Sequence, residues 1–258
     1  MRTEQVAVAG VTLETIVVEG AREAPALVFL HEGLGSAALW RDFPLRLHDA
    51  TGATAVIYSR AGNGFSSVLE RPREPSYMHD EARIVLPALL RALEIERPVL
   101  VGHSDGASIA LIYAGEYPGA VRGVAAIAPH VFVEDVSIAS IAAIGVRYRD
   151  DAELRARMAR HHADVDRTFF GWNDAWLSPR FRSWNIESFI GAIEAPVLCV
   201  QGTADEYGTL AQIDAIARRA SRSVDRVVLG GCGHAPQRER PQTVAAAATA
   251  WYAEVASR

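Results

Sequence analysis

Six short runs rich in Val, Ile, Leu and Ala recur along the chain, at residues 26–30, 54–58, 98–101, 121–128, 196–200 and 224–229. Each reads as a strand buried on both faces, and strands of that kind belong to parallel sheets. Parallel neighbours need a crossover between them, and helical patterns fill the gaps. Across residues 79–95, for example, Ile84, Leu86, Leu89, Leu90 and Leu93 recur at three- and four-residue steps above a polar face. Strand and helix alternate, so the expected class is α/β. The opening stretch, residues 5–18, alternates more loosely around Ala9-Gly10, as an antiparallel hairpin at a sheet edge does. The expectation is therefore an eight-stranded, mostly parallel sheet with flanking helices.

One interval breaks the rhythm. From Val131 to Glu194 no strand-like run occurs, but helical patterns do, at residues 138–148 and 152–162. It is read as a helical insertion, and it concentrates Phe169, Phe170, Trp172, Trp176, Phe181, Trp184 and Phe189. These aromatics either form the insertion's own core or line a substrate pocket.

Composition narrows the function classes. Lys+Arg 26 against Asp+Glu 31 gives a net charge of −5 with no basic run, which argues against nucleic acid as a partner. No apolar run reaches the roughly 18 residues of a membrane span, and Met1 to Gly10 is too short for a secretory signal, so a cytoplasmic protein without a membrane partner is expected. Cys199 and Cys232 lack disulfide-framework or metal-ligand spacing and are expected to be free thiols.

The chemistry concentrates in three places. In residues 98–107 a buried strand runs into Gly102-x-Ser104-x-Gly106 and then a helical pattern. Glycines two positions either side of the serine let strand and helix approach closely, and the tight turn lifts the hydroxyl out at the sheet's C-terminal edge. By composition alone the five-residue pattern arises in about one such chain in ten, so the strand before and the helix after carry the argument. A serine hydroxyl needs a base, and the base needs an acid to orient it. Gly202-x-x-Asp205 follows one strand and Gly231-x-Gly-His234 follows the last, in the chain order Ser, Asp, His.

With these motifs the sequence resembles the α/β-hydrolase family nearly end to end. His31-Glu-Gly-Leu-Gly-Ser36 with Trp40 is similar to the family's oxyanion loop after the third strand, and residues 58–66 resemble its loop after the fourth. The insertion falls where the family carries its cap, which implies a core domain of residues 1–130 and 195–258 and a helical cap of residues 131–194. The resemblance implies a serine hydrolase without cofactor or metal, acting through an acyl-enzyme on Ser104, with His234 as base and Asp205 as acid. Gly33, by alignment, and Asp105, as the residue after the nucleophile, would supply the oxyanion N–H groups. Trp172, Trp176 and Trp184 are candidate walls for a small, largely apolar ester, lactone or related acyl substrate. The same residues serve carbon–carbon bond hydrolases, thioesterases and acyltransferases, and a slow ligand-binding relative is the reading from another class. Oligomeric state stays open.

Competing assignments exist for most of these residues. His31 and His103 adjoin strand ends and read as loop holders, His130 is a further candidate, and His161 and His162 read as solvated. Glu134, Asp135 and Glu206 rival Asp205 as the acid. Cys232, near His234, is read as a packing residue. Two departures from the family pattern stand out: Glu32 where glycine is usual, and Ser59 where aspartate is usual. A Glu32 carboxylate turned inward would oppose an oxyanion, whereas one turned away would brace the loop, which is the preferred reading.

Overall fold

The computed structural model describes residues 1–257. In chain order the elements are β1 (Arg2–Val8), β2 (Val11–Val18), β3 (Leu27–Leu30), α1 (Phe43–Thr51), β4 (Ala55–Tyr58), α2 (Tyr77–Asp80), a π-helical turn (Glu81–Val85), α3 (Leu86–Ala92), β5 (Val99–His103), α4 (Asp105–Glu116) and β6 (Gly123–Ile127). There follow α5 (Asp135–Asp150), α6 (Ala152–Ala159), α7 (Val165–Leu177), α8 (Glu187–Ile190), β7 (Val197–Gly202), α9 (Ala211–Arg219), β8 (Val224–Leu229), α10 (Pro236–Glu239) and α11 (Pro241–Ala256).

All eight strands form one sheet in the order β1-β2-β4-β3-β5-β6-β7-β8. The hairpin β1–β2 and the pair β2–β4 are antiparallel, and the other pairs are parallel. The hairpin closes on Val8↔Val11 through Ala9 and Gly10, both at positive φ (49° and 80°), the conformation that matches the twist of a two-residue turn.

Side chains of the central strands alternate between two apolar layers. Val28, Leu30, Leu100, Val197 and Cys199 face one layer, which holds α4, α9 and apolar residues of the α5–α8 interval. Leu27, Phe29, Val99, Val101, Leu198 and Val200 face the other, built on Phe43 and Leu47 of α1 and on Val244, Ala248, Trp251 and Val255 of α11. Burying such strands from both sides is what makes their continuous apolar runs favourable, at roughly 25 cal/mol per Å² of apolar surface.

Two expectations need correction. The run 224–229 is an edge strand paired only with β7, and its residues are half-buried or exposed; Asp225 and Arg226 place charge on an edge that would otherwise invite pairing. Ile84 is exposed, although Leu86, Leu89 and Leu90 are buried, because the π-helical turn shifts the helix face just before Leu86. Among the described residues no helix is long and apolar enough to cross a membrane.

Candidate active site

The site is assembled from loops at the C-terminal ends of the parallel strands, where open α/β sheets present their ligands. Between β5 and α4, Ser104 adopts φ 53° and ψ −118°, a conformation that L-residues rarely take. The turn closes because its flanking residues are glycines. A Cβ on Gly102 would lie 2.4 Å from the Gly106 carbonyl oxygen, and one on Gly106 would lie 1.9 Å from that of Leu30. Ser104 N–H donates to the Ile127 carbonyl at 2.9 Å, tying the turn to β6.

Asp205 and His234 converge on this hydroxyl. His234 Nε2 lies 2.9 Å from Ser104 Oγ, and its Nδ1 lies 2.8 and 2.9 Å from the Asp205 carboxylate oxygens. A carboxylate only accepts, so Nδ1 carries the proton and Nε2 is free to accept from Oγ–H. Asp205 is held by N–H groups of Tyr207 (2.8 Å) and Gly208 (3.2 Å) and by the Gln201 amide (2.6 Å). Burial opposes its charge, but the hydrogen bond and charge of His234 and the backbone donor hold its pKa below the usual carboxylate value.

The rival groups have other partners. Glu206 accepts the backbone N–H of His234 at 3.3 Å, Glu134 binds Thr209 and Gln212, and Asp135 pairs with Arg182. His103 Nε2–H donates to the His234 carbonyl at 2.7 Å. Cys232 and Cys199 are buried free thiols. His162 corrects the expectation of a solvated residue: it is buried, accepts from Gly64 N–H at 3.0 Å, and burial brings its pKa down to about 4.

The loop of residues 31–35 lies against the elbow, since a Cβ on Gly106 would also meet the His31 carbonyl at 2.7 Å. Neither Gly33 N–H nor Asp105 N–H donates to another group among the described residues, which leaves both free for an anion. Glu32 turns toward His103 (Oε2 to Nδ1, 3.4 Å) and packs on Gly35. Burial raises its pKa, and hydrogen bonding and attraction from His103 outweigh this and bring it down to about 2. Asn63 donates to the carbonyls of Gly33 (3.1 Å) and Gly35 (3.0 Å), and Arg73 in turn donates to Asn63 Oδ1 (2.7 Å). At the second departure, Ser59 Oγ donates to Glu14 Oε2 (2.6 Å) and accepts from Ala37 N–H (2.8 Å). Glu14, from β2, thus supplies the loop-bracing carboxylate that position 59 lacks.

The three tryptophans differ in placement. Trp172 is packed so closely on Gly33 that a Cβ there would lie 2.1 Å from its indole nitrogen. Trp176 donates from Nε1 to Tyr77 Oη at 3.0 Å and sits 5.1 Å, ring to ring, from His130, which is itself 5.6 Å from His234. Trp184 stacks on Phe181 at 5.3 Å and lies 6.3 Å from Trp176. Phe169, Phe170 and Tyr148 pack together within the insertion. All three tryptophans are buried in the apolar layer, and Trp172 and Trp176 are the two that reach residues near Ser104.

Three further side chains stand at the site. Asp105 accepts from Tyr77 O–H and lies 3.9 Å from Arg60, which is 1% exposed. His130 packs between Trp176 and His234, and burial and the neighbouring His234 bring its pKa down to about 3, so it is neutral near pH 7. Arg60 falls within the loop of residues 58–66 and is signalled in the sequence only by being an arginine set between a buried strand and a Gly-rich turn.

Among the described residues no three His, Cys, Asp or Glu side chains converge as a metal-holding set. A cleft of about 620 Å³, lined by Arg2, Glu19, Arg22, Glu94, Arg97 and Arg122, opens at the N-terminal ends of the strands, away from Ser104 and without a nucleophile.

The sequence profile described as the Alpha/beta hydrolase family matches residues 27–247. A 2-(acetamidomethylene)succinate hydrolase of Mesorhizobium japonicum is 27% identical over 155 residues, covering 58% of this chain and 54% of that protein, so the chain matches about half of that relative's length. The solved proline iminopeptidase of Mycobacterium smegmatis superposes with TM-score 0.79 at 19% identity over 99% of both chains. The enol-lactonase of Burkholderia xenovorans LB400 does so with TM-score 0.74 at 18% identity, over 99% of this chain and 100% of its own. With the profile spanning most of its length and the eight-stranded sheet in place, the chain belongs to the alpha/beta hydrolase family.

Proposed function

We propose that the chain is a serine hydrolase that cleaves a small, largely apolar ester, lactone or related acyl compound through an acyl-enzyme on Ser104. The observation that carries the reading is the continuous line from Ser104 Oγ through His234 to Asp205, with bonds of 2.9, 2.8 and 2.9 Å.

In the proposed reaction His234 Nε2 takes the Ser104 proton as Oγ adds to the carbonyl carbon. The carbonyl oxygen becomes an oxyanion received by the N–H groups of Gly33 and Asp105. The imidazolium, stabilised by Asp205, returns the proton to the leaving group as its bond to the acyl carbon breaks. Water, deprotonated by the same nitrogen, then adds to the acyl-enzyme, and collapse releases the acid and restores Ser104.

Residues 131–194 act as a cap in this reading. Support comes from Trp172 on Gly33, Trp176 beside His130, and three ties from the insertion to the loop after β4: Gly64 N–H to His162 (3.0 Å), Ala163 N–H to Gly64 (2.8 Å) and Thr168 O–H to Gly62 (2.6 Å). An enclosing, aromatic lid favours a compact substrate over a polymer. Two relatives, an enol-lactonase and a hydrolase of 2-(acetamidomethylene)succinate, accord by name with small acyl compounds.

The test is turnover of short p-nitrophenyl esters and simple lactones by Ser104→Ala. Hydrolysis should fall by about four to six orders of magnitude with the melting temperature kept. Near-wild-type turnover in that variant contradicts the mechanism.

A further inference from the structure

We infer that Arg60 is a positioning residue of the oxyanion site, one that orients and polarises the peptide unit whose N–H belongs to Gly33. The inference rests on the proposed acyl-enzyme mechanism and adds to it a side chain that touches no substrate. Arg60 Nη2 donates to the Glu32 carbonyl at 3.0 Å and Nη1 to the His31 carbonyl at 2.6 Å. The Glu32 carbonyl and the Gly33 N–H are the two ends of one peptide plane, so a cation on the oxygen draws electron density from the nitrogen and makes its proton a stronger donor. The same bond fixes the direction in which that proton points before any substrate arrives.

The rest of the surroundings serve the same plane. His31 Nδ1 also lies on the Glu32 carbonyl, at 2.6 Å, while its Nε2 accepts the Arg60 backbone N–H at 3.0 Å. Those partners require the neutral Nδ1–H tautomer, and burial together with the Arg60 charge keeps His31 well below its ordinary pKa. The carbonyl at the back of the proposed donor thus receives three hydrogen bonds, from Arg60, from His31 and from the Gly35 N–H at 3.0 Å, and only the first comes from a cation. Nε of Arg60 is buried without an acceptor among the described residues. Its nearest counter-charge, Asp105, lies 3.9 Å away and takes its own hydrogen bond from Tyr77. A guanidinium bound mainly for its charge would face that carboxylate squarely; this one spends its two Nη groups on backbone oxygens instead. Asp105 follows Ser104 and its N–H is the second proposed donor, but the Ser104 carbonyl behind that N–H takes the Ala107 and Ser108 N–H groups, so Arg60 acts on the Gly33 half of the oxyanion site.

The test compares four proteins: wild type, Arg60→Lys, Asp105→Asn, and Arg60→Met in the Asp105→Asn background. The last removes both charges of the Arg60–Asp105 pair together, so neither is left facing a lost partner, which keeps the comparison meaningful if Arg60→Met alone fails to fold. Measured against Asp105→Asn, the double variant should lose about tenfold to a hundredfold in kcat on a short p-nitrophenyl ester with KM within about twofold, since the effect is confined to the transition state. Its affinity for a phenylboronic acid, which forms a tetrahedral adduct on an active serine, should fall by a similar factor. Arg60→Lys should recover part of both. In the amide proton–nitrogen spectrum of the free protein, the Gly33 proton should move upfield when Arg60 is removed. That readout is independent of turnover: if wild type cleaves and binds nothing, the acyl-enzyme reading fails, and the Gly33 shift still decides the Arg60 assignment. A folded double variant with the kcat of Asp105→Asn and an unmoved Gly33 proton overturns it.

Discussion

The elbow around Ser104 and the loop of residues 31–35 face each other across the site, yet they are held by different means. The elbow is fixed sterically. Gly102 and Gly106 are glycines because backbone atoms stand 2.4 and 1.9 Å from where their Cβ atoms would be, and a strained φ of 53° at Ser104 follows from the closure. The oxyanion loop is fixed by polar side chains: its own His31 and, from elsewhere in the chain, Arg60 and Asn63 bind its carbonyls, Arg73 holds Asn63, and Glu14 holds Ser59, which accepts the Ala37 N–H just beyond the loop. Damage to the first should therefore remove the fold. Damage to the second should leave a folded protein with a poorer site.

The largest effect should come from Gly106→Val. Its side chain has no space against Leu30 and His31, so the expected outcome is loss of cooperative thermal unfolding and of soluble protein; a folded variant with normal melting would show that the elbow tolerates rearrangement. Asp205→Asn should fold normally but lose about four orders of magnitude in kcat, because an amide no longer selects the Nδ1–H tautomer of His234. A drop below tenfold would point to Glu206 or another acid. Asn63→Ala removes both bonds to the Gly33 and Gly35 carbonyls, and a loss of about tenfold in kcat with about 1–3 kcal/mol of stability is expected from two deserted buried acceptors. Equal activity with reduced stability would make Asn63 purely structural.

The smallest effects separate, by pH, Glu32 of the loop from His130, which packs beside His234. The folded-state pKa of Glu32 is lowered from 4.5 to about 2, so its contribution to stability is complete above pH 4.5 and is lost as pH falls toward 2. At about 1.4 kcal/mol per unit this amounts to no more than about 3.5 kcal/mol, and Glu32→Gln should flatten the stability curve only in that window. His130 is lowered from 6.5 to about 3, so the unfolded chain takes up a proton that the folded one refuses, and stability declines as pH falls from 6.5. His130→Gln should remove part of that decline between pH 6.5 and 4.5, where Glu32→Gln changes nothing. Denaturant unfolding at successive pH values distinguishes the two; identical curves for both variants would refute the assignment.

The same contrast explains what could be read from the sequence. The elbow, the strand-end positions of Asp205 and His234, and the parallel sheet all follow from local signals: a buried run, a glycine at a fixed step, a turn residue after a strand. Such signals survive because backbone sterics act over a few residues. The braces of the oxyanion loop do not. Arg60 reaches back 28 residues to Glu32, Glu14 reaches forward 45 to Ser59, and His162 meets Gly64 across 98. No periodicity links such pairs, so Ser59 looked like a missing carboxylate until Glu14 appeared beside it, and His162 looked solvated until the insertion folded onto the loop. The edge strand β8 is the reverse case, since its apolar residues read as buried when only its place in the sheet exposes them.

The central claim is that Ser104 is activated by His234, and intact-mass analysis with a small fluorophosphonate, followed by peptide mapping, tests it without knowledge of the substrate. The account predicts a single adduct on Ser104 that disappears in His234→Ala. A folded wild-type protein that remains unlabelled, or one labelled at another residue, contradicts it.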